Sequence, residues 1–173
     1  VDGSLLVAGD IALNGGILTG SGTVAGNLLN SGSVSPGNSP GVMHVNGNYS
    51  QASGTLGIEL GQSAYDQLLV SGSATLGGVL DVSLWSAPGN PVFLPAPGSS
   101  FDILLAQVLT GEFDSVNLPE VAGIVWDLQY LIDASGSTDI VRLTASAVPL
   151  PPAVWFAVTA FAIAGTRARR RWR

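Results

Sequence analysis

A pair of glycines at a nearly fixed interval recurs four times in the first 90 residues. Each copy begins with Val-x-Gly, and a second glycine follows six or seven residues later. The first glycines of successive copies are 17, 21 and 25 residues apart. Short stretches with apolar residues at every second position lie between them, which indicates strands separated by tight turns. The copies are Val7–Gly9 with Gly16, Val24–Gly26 with Gly32, Val45–Gly47 with Gly54, and Val70–Gly72 with Gly78.

Short strands that return about every 20 residues predict a β-solenoid. Examples are residues 17–19, 55–60 and 79–84. A single coil cannot bury its own apolar face, so neighbouring coils stack about 4.8 Å apart and share one core. We therefore expect an all-β, right-handed parallel β-helix whose four recognisable coils span about 20 Å. An antiparallel β-sandwich also has short strands and frequent turns, and it is the alternative.

Proline-rich stretches mark the domain boundaries. Ser33–Gly41 has the turn signals of a loop, and Pro88–Ser100 contains four prolines. We expect solenoid repeats over residues 1–90, and a proline-rich break with a capping β region over residues 91–147. The expected cap has strands at residues 101–105, 124–126, 130–132 and 140–143, and it closes the apolar end of the repeats. The first repeat has no evident cap, and no secretion signal is visible, so we expect further coils and a signal peptide upstream.

Charge divides the chain into an acidic body and a basic end. Residues 1–147 hold all twelve acidic residues and a single arginine, a net charge of −11, whereas residues 148–173 carry +5. An acidic body without a basic patch argues against nucleic-acid binding. Cysteine is absent, which excludes disulfides and thiolate metal sites. Neither a calcium-binding repeat nor a phosphate-binding loop occurs, so the sequence predicts no metal and no cofactor.

Few residues are candidates for catalysis. His44 is the only histidine, and its alternating context predicts a strand on which it points outward. Some β-helices degrade polysaccharides with paired acids. Two acids, Glu59 and Asp66, flank a turn, and Glu112 and Asp114 are expected to share one strand face. Residues 1–141 contain no lysine or arginine to complete such a site. We therefore interpret these acids as a solvated surface and expect no enzyme, with a carbohydrate-active enzyme as the less favoured alternative.

The last 26 residues form a proline-rich start, an apolar run and a basic end. A helix over Val148–Thr166 would be about 28 Å long, close to the roughly 30 Å of a bilayer's hydrocarbon core. The arginines would keep its far end in the cytoplasm by the positive-inside rule. A buried core helix over residues 153–166 is the alternative. The expected anchor includes Ala153, Val154, Trp155, Phe156, Phe161 and Ile163, and the topology signal is Arg167, Arg169, Arg170, Arg171 and Arg173.

This three-part end resembles the exosortase sorting signals of Gram-negative bacteria, the PEP-CTERM domains in their VPLPA variant. The matching motif is Val148, Pro149, Leu150 and Pro151, followed by Ala-Val-Trp-Phe and the terminal arginines. Leu150 stands where the commoner form has Glu, and Pro152 where the variant has Ala. The resemblance implies that a membrane-embedded transpeptidase removes the anchor from an inner-membrane precursor. The mature protein would then reach the cell surface or the extracellular space.

The body resembles the passenger β-helices of bacterial autotransporters over residues 5–145. The resemblance is carried by the segments 20–27, 30–41, 45–51, 65–72, 101–105, 111–119 and 126–128. It implies a surface-exposed shaft, and the sorting-like tail stands where autotransporters have their outer-membrane barrel. Together the two resemblances predict a non-enzymatic surface or matrix protein, with the transpeptidase and exopolysaccharide as partners. A passenger fragment that acts as an adhesin is the alternative with the same fold.

Overall fold

The computed structural model describes residues 2–6, 9–133 and 136–149, and in these ranges the chain folds into seventeen strands and no helix. The strands are β1 (Ser4–Leu6), β2 (Ile11–Leu13), β3 (Ile17–Gly20), β4 (Thr23–Ala25), β5 (Leu28–Asn30), β6 (Ser33–Pro36), β7 (Val42–Val45), β8 (Tyr49–Gln51), β9 (Thr55–Leu60), β10 (Gln67–Val70), β11 (Ser73–Thr75), β12 (Val79–Leu84), β13 (Ser100–Ala106), β14 (Val108–Thr110), β15 (Ser115–Asn117), β16 (Ile124–Leu131) and β17 (Asp139–Ala147).

The first fifteen strands form three parallel sheets that run side by side along the chain's stacking direction. Sheet A has the order β1-β4-β7-β10-β13, sheet B the order β2-β5-β8-β11-β14, and sheet C the order β3-β6-β9-β12-β15. Every third strand returns to the same sheet, so each coil contributes one strand to each sheet. This topology is that of a β-solenoid, and the β-sandwich alternative is wrong. The expectation of four coils is one too few, because β13–β15 add a fifth.

The strand register measures the length of each coil. In sheet A, Ser4 pairs with Thr23, Thr23 with His44, His44 with Leu69, and Leu69 with Leu105, which gives advances of 19, 21, 25 and 36 residues. The middle values equal the spacing of the Val-x-Gly glycines. The fifth coil is longer because residues 85–99 are inserted between β12 and β13.

The hydrophobic core lies inside the triangle of sheets. In the second coil each sheet turns one fully buried side chain inward: Val24 from sheet A, Leu28 from sheet B and Val34 from sheet C. The same inward positions are repeated in the next coils, so the apolar side chains stack in continuous columns. Burial of a Val or Leu side chain contributes about 1.5–3 kcal/mol, and stacking makes each coil depend on its neighbours.

An antiparallel hairpin closes the C-terminal edge of sheet A. Strand β17 pairs with β13 across an irregularity between Asp102 and Leu104, and β16 pairs with β17 on the outside. Arg142 donates two hydrogen bonds to the Asp102 carboxylate, at 2.5 and 2.9 Å. The hairpin lies within the region expected to form the cap. Its outer strand is continuous over Ile124–Leu131, where the sequence suggested two strands.

The expected loop at residues 33–41 is partly wrong. Ser33–Pro36 forms β6, which pairs with β3 and β9 and buries Val34 completely. Pro36 is tolerated because it is the last residue of the strand, where its missing N–H removes little of the ladder. Only residues 37–41 form a loop.

Candidate functional site

The corner between sheets A and B is tight in the second to fourth coils. A Cβ atom on Gly47 would lie 2.5 Å from the Gly26 carbonyl oxygen, and one on Gly72 would lie 2.9 Å from the Gly47 carbonyl oxygen. These distances are too short for any side chain. The Val-x-Gly repeat therefore records one corner of the solenoid, where the backbones of successive coils touch.

A ladder of polar side chains follows these glycines. The Asn27 side-chain amide donates to Asp10 Oδ1 at 2.8 Å. In the next coils, the Asn48 N–H donates to Asn27 Oδ1 at 2.8 Å, and the Ser73 N–H donates to Asn48 Oδ1 at 2.9 Å. The ladder joins each coil to the one before it, which indicates a structural role for this corner.

The corner between sheets B and C is also tight, and it contains the second glycine of each repeat. A Cβ on Gly78 would lie 2.3 Å from the Gly54 carbonyl oxygen. Inside this corner, the buried Gln51 donates to the carbonyl oxygens of Gly54, Gly77 and Val79 at 2.9–3.1 Å. The buried Tyr49 hydroxyl donates to Gln51 Oε1, and burial raises the pKa of Tyr49 far above its usual value.

The third corner, from sheet C back to sheet A, is the variable one. Its connections contain 2, 5, 6 and 15 residues in successive coils: residues 21–22, 37–41, 61–66 and 85–99. All other connections of the first four coils contain two to four residues. Loops positioned by a rigid scaffold are where binding residues concentrate, so this corner and the sheet beside it are the candidate functional surface.

Asp66 lies at this corner and is fully buried. Its carboxylate accepts hydrogen bonds from the Gly41 N–H at 2.7 Å and from the Glu59 N–H at 2.9 Å, so it joins the loops of two coils. Burial raises the pKa of Asp66 to about 6, against the opposing effect of the two N–H donors. The expectation that Asp66 belongs to a solvated surface is wrong, because its partners are backbone groups that the sequence does not reveal.

The longest loop of this corner is fastened to the body by aromatic rings. The Phe93 ring lies 6.4 Å from the Phe101 ring, edge to face, and the Tyr65 ring lies 5.3 Å from Phe101 on another side. The Phe93 N–H also donates to Ser86 Oγ at 2.6 Å. These contacts fix the proline-rich loop against the solenoid.

A cleft of about 290 Å³, here called the corner cleft, lies between the loops of three coils. The Trp85 indole forms part of its wall, and its Cε3 atom is 3.1 Å from the position of a Cβ on Gly61. A larger residue at position 61 would push the indole away. The cleft is lined by Ser39, Pro40, Gln62, Ser63, Ala64, Trp85, Ser86, Ala87, Asn90 and Pro91.

The outer face of sheet C contains a second depression, here called the sheet C groove, of about 320 Å³. Its lining alternates with the buried residues of β3, β6, β9 and β12. Hydroxyl groups predominate, and the only charged groups are Glu59 and Asp81. Asp81 pairs with Gly57 and Ser83 with Glu59, so the two acids are diagonal neighbours. The lining residues are Ile17, Thr19, Ser33, Ser35, Thr55, Gly57, Ile58, Glu59, Asp81 and Ser83.

His44 points outward from sheet A, as predicted, and lines a shallow cavity of about 240 Å³. Its neighbours in the register are Thr23 and Leu69, and Leu105 follows in the next strand. The lining contains no carboxylate and no other base. The structure therefore gives His44 no partner for acid–base or nucleophilic chemistry.

The remaining acidic candidates do not form a catalytic pair. Glu112 and Asp114 lie in the connection between β14 and β15, on either side of the buried Phe113, so the expected strand face is wrong. The Asp114 carboxylate accepts the Gly78 N–H at 2.6 Å. Glu59 and Asp66 are joined through the Glu59 backbone, with Asp66 inside the fold. They cannot meet one substrate together.

The predicted sorting motif begins where the last strand ends. Val148 follows β17 directly, is 48% exposed, and donates its N–H to the Gly123 carbonyl oxygen at 3.0 Å. Pro149 is exposed. Leu150, Pro151, the anchor residues and the arginines lie outside the described residues. Within the described ranges, no helix is long and apolar enough to cross a membrane, and no three His, Cys, Asp or Glu side chains are grouped to hold a metal ion.

The fold defines the class of the protein: an all-β chain whose parallel sheets stack as a β-solenoid, with a variable loop corner and a polar groove beside it. A scan of the chain against protein-family models finds no match, and a search of curated proteins finds no significant match.

Proposed function

We propose that the protein is a non-enzymatic, exported surface or matrix protein that is anchored and sorted through its C-terminal residues. In this proposal the solenoid is right-handed, and residues 148–166 include a transmembrane helix with its basic end in the cytoplasm. An exosortase-type transpeptidase of the inner membrane then removes the anchor. The proposal combines the tail's sequence with the position of its first residue in the fold.

One observation carries the proposal: the sorting motif and apolar run follow the solenoid cap without a linker. Strand β17 ends at Ala147 and the motif begins at Val148. Only residues 148–152 separate the cap from the apolar run, a reach of about 17 Å when extended. The body carries −11 and the end +5. This order of charges fits an outside body and an inside tail.

The described surface also favours a binding or structural role over catalysis. His44 faces a lining without a second titratable group. The carboxylate of Asp66 is buried and accepts two backbone N–H groups. The tight corners and polar ladders serve the stability of the stack. In a matrix, the outer faces of the solenoid would meet exopolysaccharide, which is the proposed second partner.

The mass of the C-terminus tests the sorting step. The full-length precursor is produced in a host that has an exosortase and in the same host without it. We expect the 155–173 segment to be absent from the protein in the first host and present in the second. A variant with Pro149→Ala and Pro151→Ala serves as a control that alters the motif and leaves the apolar run unchanged. Survival of the segment to the same extent in both hosts would refute the proposal.

A further inference from the structure

We propose that the sheet C groove binds a neutral polysaccharide chain, with Trp85 at one end of the binding surface. This inference deepens the proposed function, on which it rests only for the place where the protein meets its ligand. The observations that carry it are the shape of the groove, its chemistry and its position beside the variable corner.

The groove owes its depth to Gly57. This residue occupies the middle outward position of β9, between the outward residues Thr55 and Glu59. A Cβ built on Gly57 would have no neighbour nearer than Ser35 Oγ, at 3.6 Å. The fold therefore does not require glycine here, in contrast to the corner glycines, whose Cβ atoms would overlap a backbone. Glycine in the middle of a strand is unfavourable for stability, and here its effect is to leave the floor open.

The polar groups of the groove suit a ligand rich in hydroxyl groups. Five hydroxyl side chains line it, and each can accept hydrogen bonds. The carboxylates of Glu59 and Asp81 accept only, and hydrogen bonds to charged acceptors are the stronger ones. A sugar hydroxyl can donate to these groups. The five are Thr19, Ser33, Ser35, Thr55 and Ser83.

The charge distribution selects against an anionic polysaccharide. Glu59 and Asp81 are the only charged side chains of the lining. The one arginine among the described residues, Arg142, is on the hairpin and is paired with Asp102. An anionic chain would therefore meet like charges without a compensating cation, and such juxtaposition is costly. A neutral chain meets no such repulsion.

The arrangement of the groove suits a chain better than a single sugar. Its polar groups come from four adjacent strands, which repeat about every 4.8 Å across the face. At the corner end, Glu59 and Ser83 are each two residues before Gly61 and Trp85, and the indole lies against Gly61. An aromatic ring offers an apolar face for the C–H side of a sugar ring. Hydrogen-bonding rungs beside one aromatic ring thus form an extended site.

Affinity electrophoresis of the full chain in a non-glycosidic detergent tests the inference. The gels contain dextran, a soluble β-glucan or alginate, so that two neutral polysaccharides are compared with an anionic one. We expect at least one neutral polysaccharide to retard the protein and alginate to have no effect. Equal retardation by alginate, or no retardation by either neutral polysaccharide, would overturn the proposal.

Gly57→Val is the decisive variant. It fills the groove with a residue that favours strands, so its thermal unfolding midpoint is expected to equal or exceed that of the wild type while retardation is lost. Glu59→Gln with Asp81→Asn keeps the shape and is expected to weaken binding about tenfold. Ser50→Val, on the outer face of sheet B, is the matched control and should bind as the wild type does. A folded Gly57→Val protein that binds normally contradicts the proposal.

Two further readouts separate this inference from the proposed function. The C-terminal mass of Gly57→Val, measured in both hosts, should equal that of the wild type, because sorting depends on the tail. A groove that fails to bind therefore leaves the sorting result intact, and the reverse also holds. Release of reducing ends from the retarding polysaccharide would contradict the binding-only role of the groove and the non-enzymatic proposal.

Discussion

Asp66→Asn should change how the stability of the solenoid depends on pH. The carboxylate of Asp66 is fully buried and joins the Gly41 and Glu59 N–H groups. Asparagine has nearly the same shape but does not titrate between pH 3 and 8. The difference between the two proteins therefore isolates the ionisation of this one buried group.

The sign and size of the effect follow from the pKa of Asp66, which burial raises to about 6 in the folded protein. An unfolded aspartate has a pKa of about 3.9. The folded state thus binds the proton more tightly, and its stability falls as the pH rises from about 4 to about 6. Two pKa units correspond to about 3 kcal/mol. Below about pH 4 both states are protonated, and the stabilisation by the bound proton is complete.

Urea unfolding followed by tryptophan fluorescence measures this dependence at pH 4, 5, 6 and 7. The free energy of unfolding of the wild type minus that of Asp66→Asn should fall by about 3 kcal/mol from pH 4 to pH 7. Asp127→Asn, at an exposed position of β16, controls for the general effect of removing one negative charge. A difference that is constant or rises with pH would show that the two N–H donors outweigh burial, and would refute the reasoning.

Two substitutions at the tight corners should lower the urea midpoint. Gly47→Ala places a Cβ 2.5 Å from a backbone oxygen of the preceding coil, and should cost about 2–4 kcal/mol. Gly15→Ala, whose Cβ has no neighbour within 4 Å, is its control and should have little effect. Gln51→Leu removes the acceptor of the Tyr49 hydroxyl and three donated hydrogen bonds, and should cost about 2–4 kcal/mol; an unchanged midpoint would mean that water replaces them.

The sequence was informative where one local rule acts alone. The strands at Thr55–Leu60 and Val79–Leu84 were predicted to the residue, since each alternates between the core and the outside. The paired glycines marked two corners because a Cβ has no room there. The 15-residue insertion at 85–99 concealed the fifth coil by interrupting the repeat.

The candidate site was less visible because it depends on contacts between coils. Glu59 and Asp81 are far apart in the sequence, and only the register of β9 and β12 makes them neighbours. The burial of Asp66 depends on backbone N–H groups that have no side-chain signature. The growing distance between the glycine pairs was the one signal of a variable corner, since a tight stack with fixed corners can lengthen only at the third.

The variable corner has a consequence for how such a chain can change. Lengthening its connection from 2 to 15 residues costs about 2 kcal/mol of loop-closure entropy, because the cost grows only with the logarithm of length. The same insertion at either glycine corner would break the contact between coils. New sequence can therefore accumulate at one edge of the stack, beside the groove, while the register of all three sheets is kept. A foreign peptide placed between Ala87 and Asn90 would be displayed there on a rigid support.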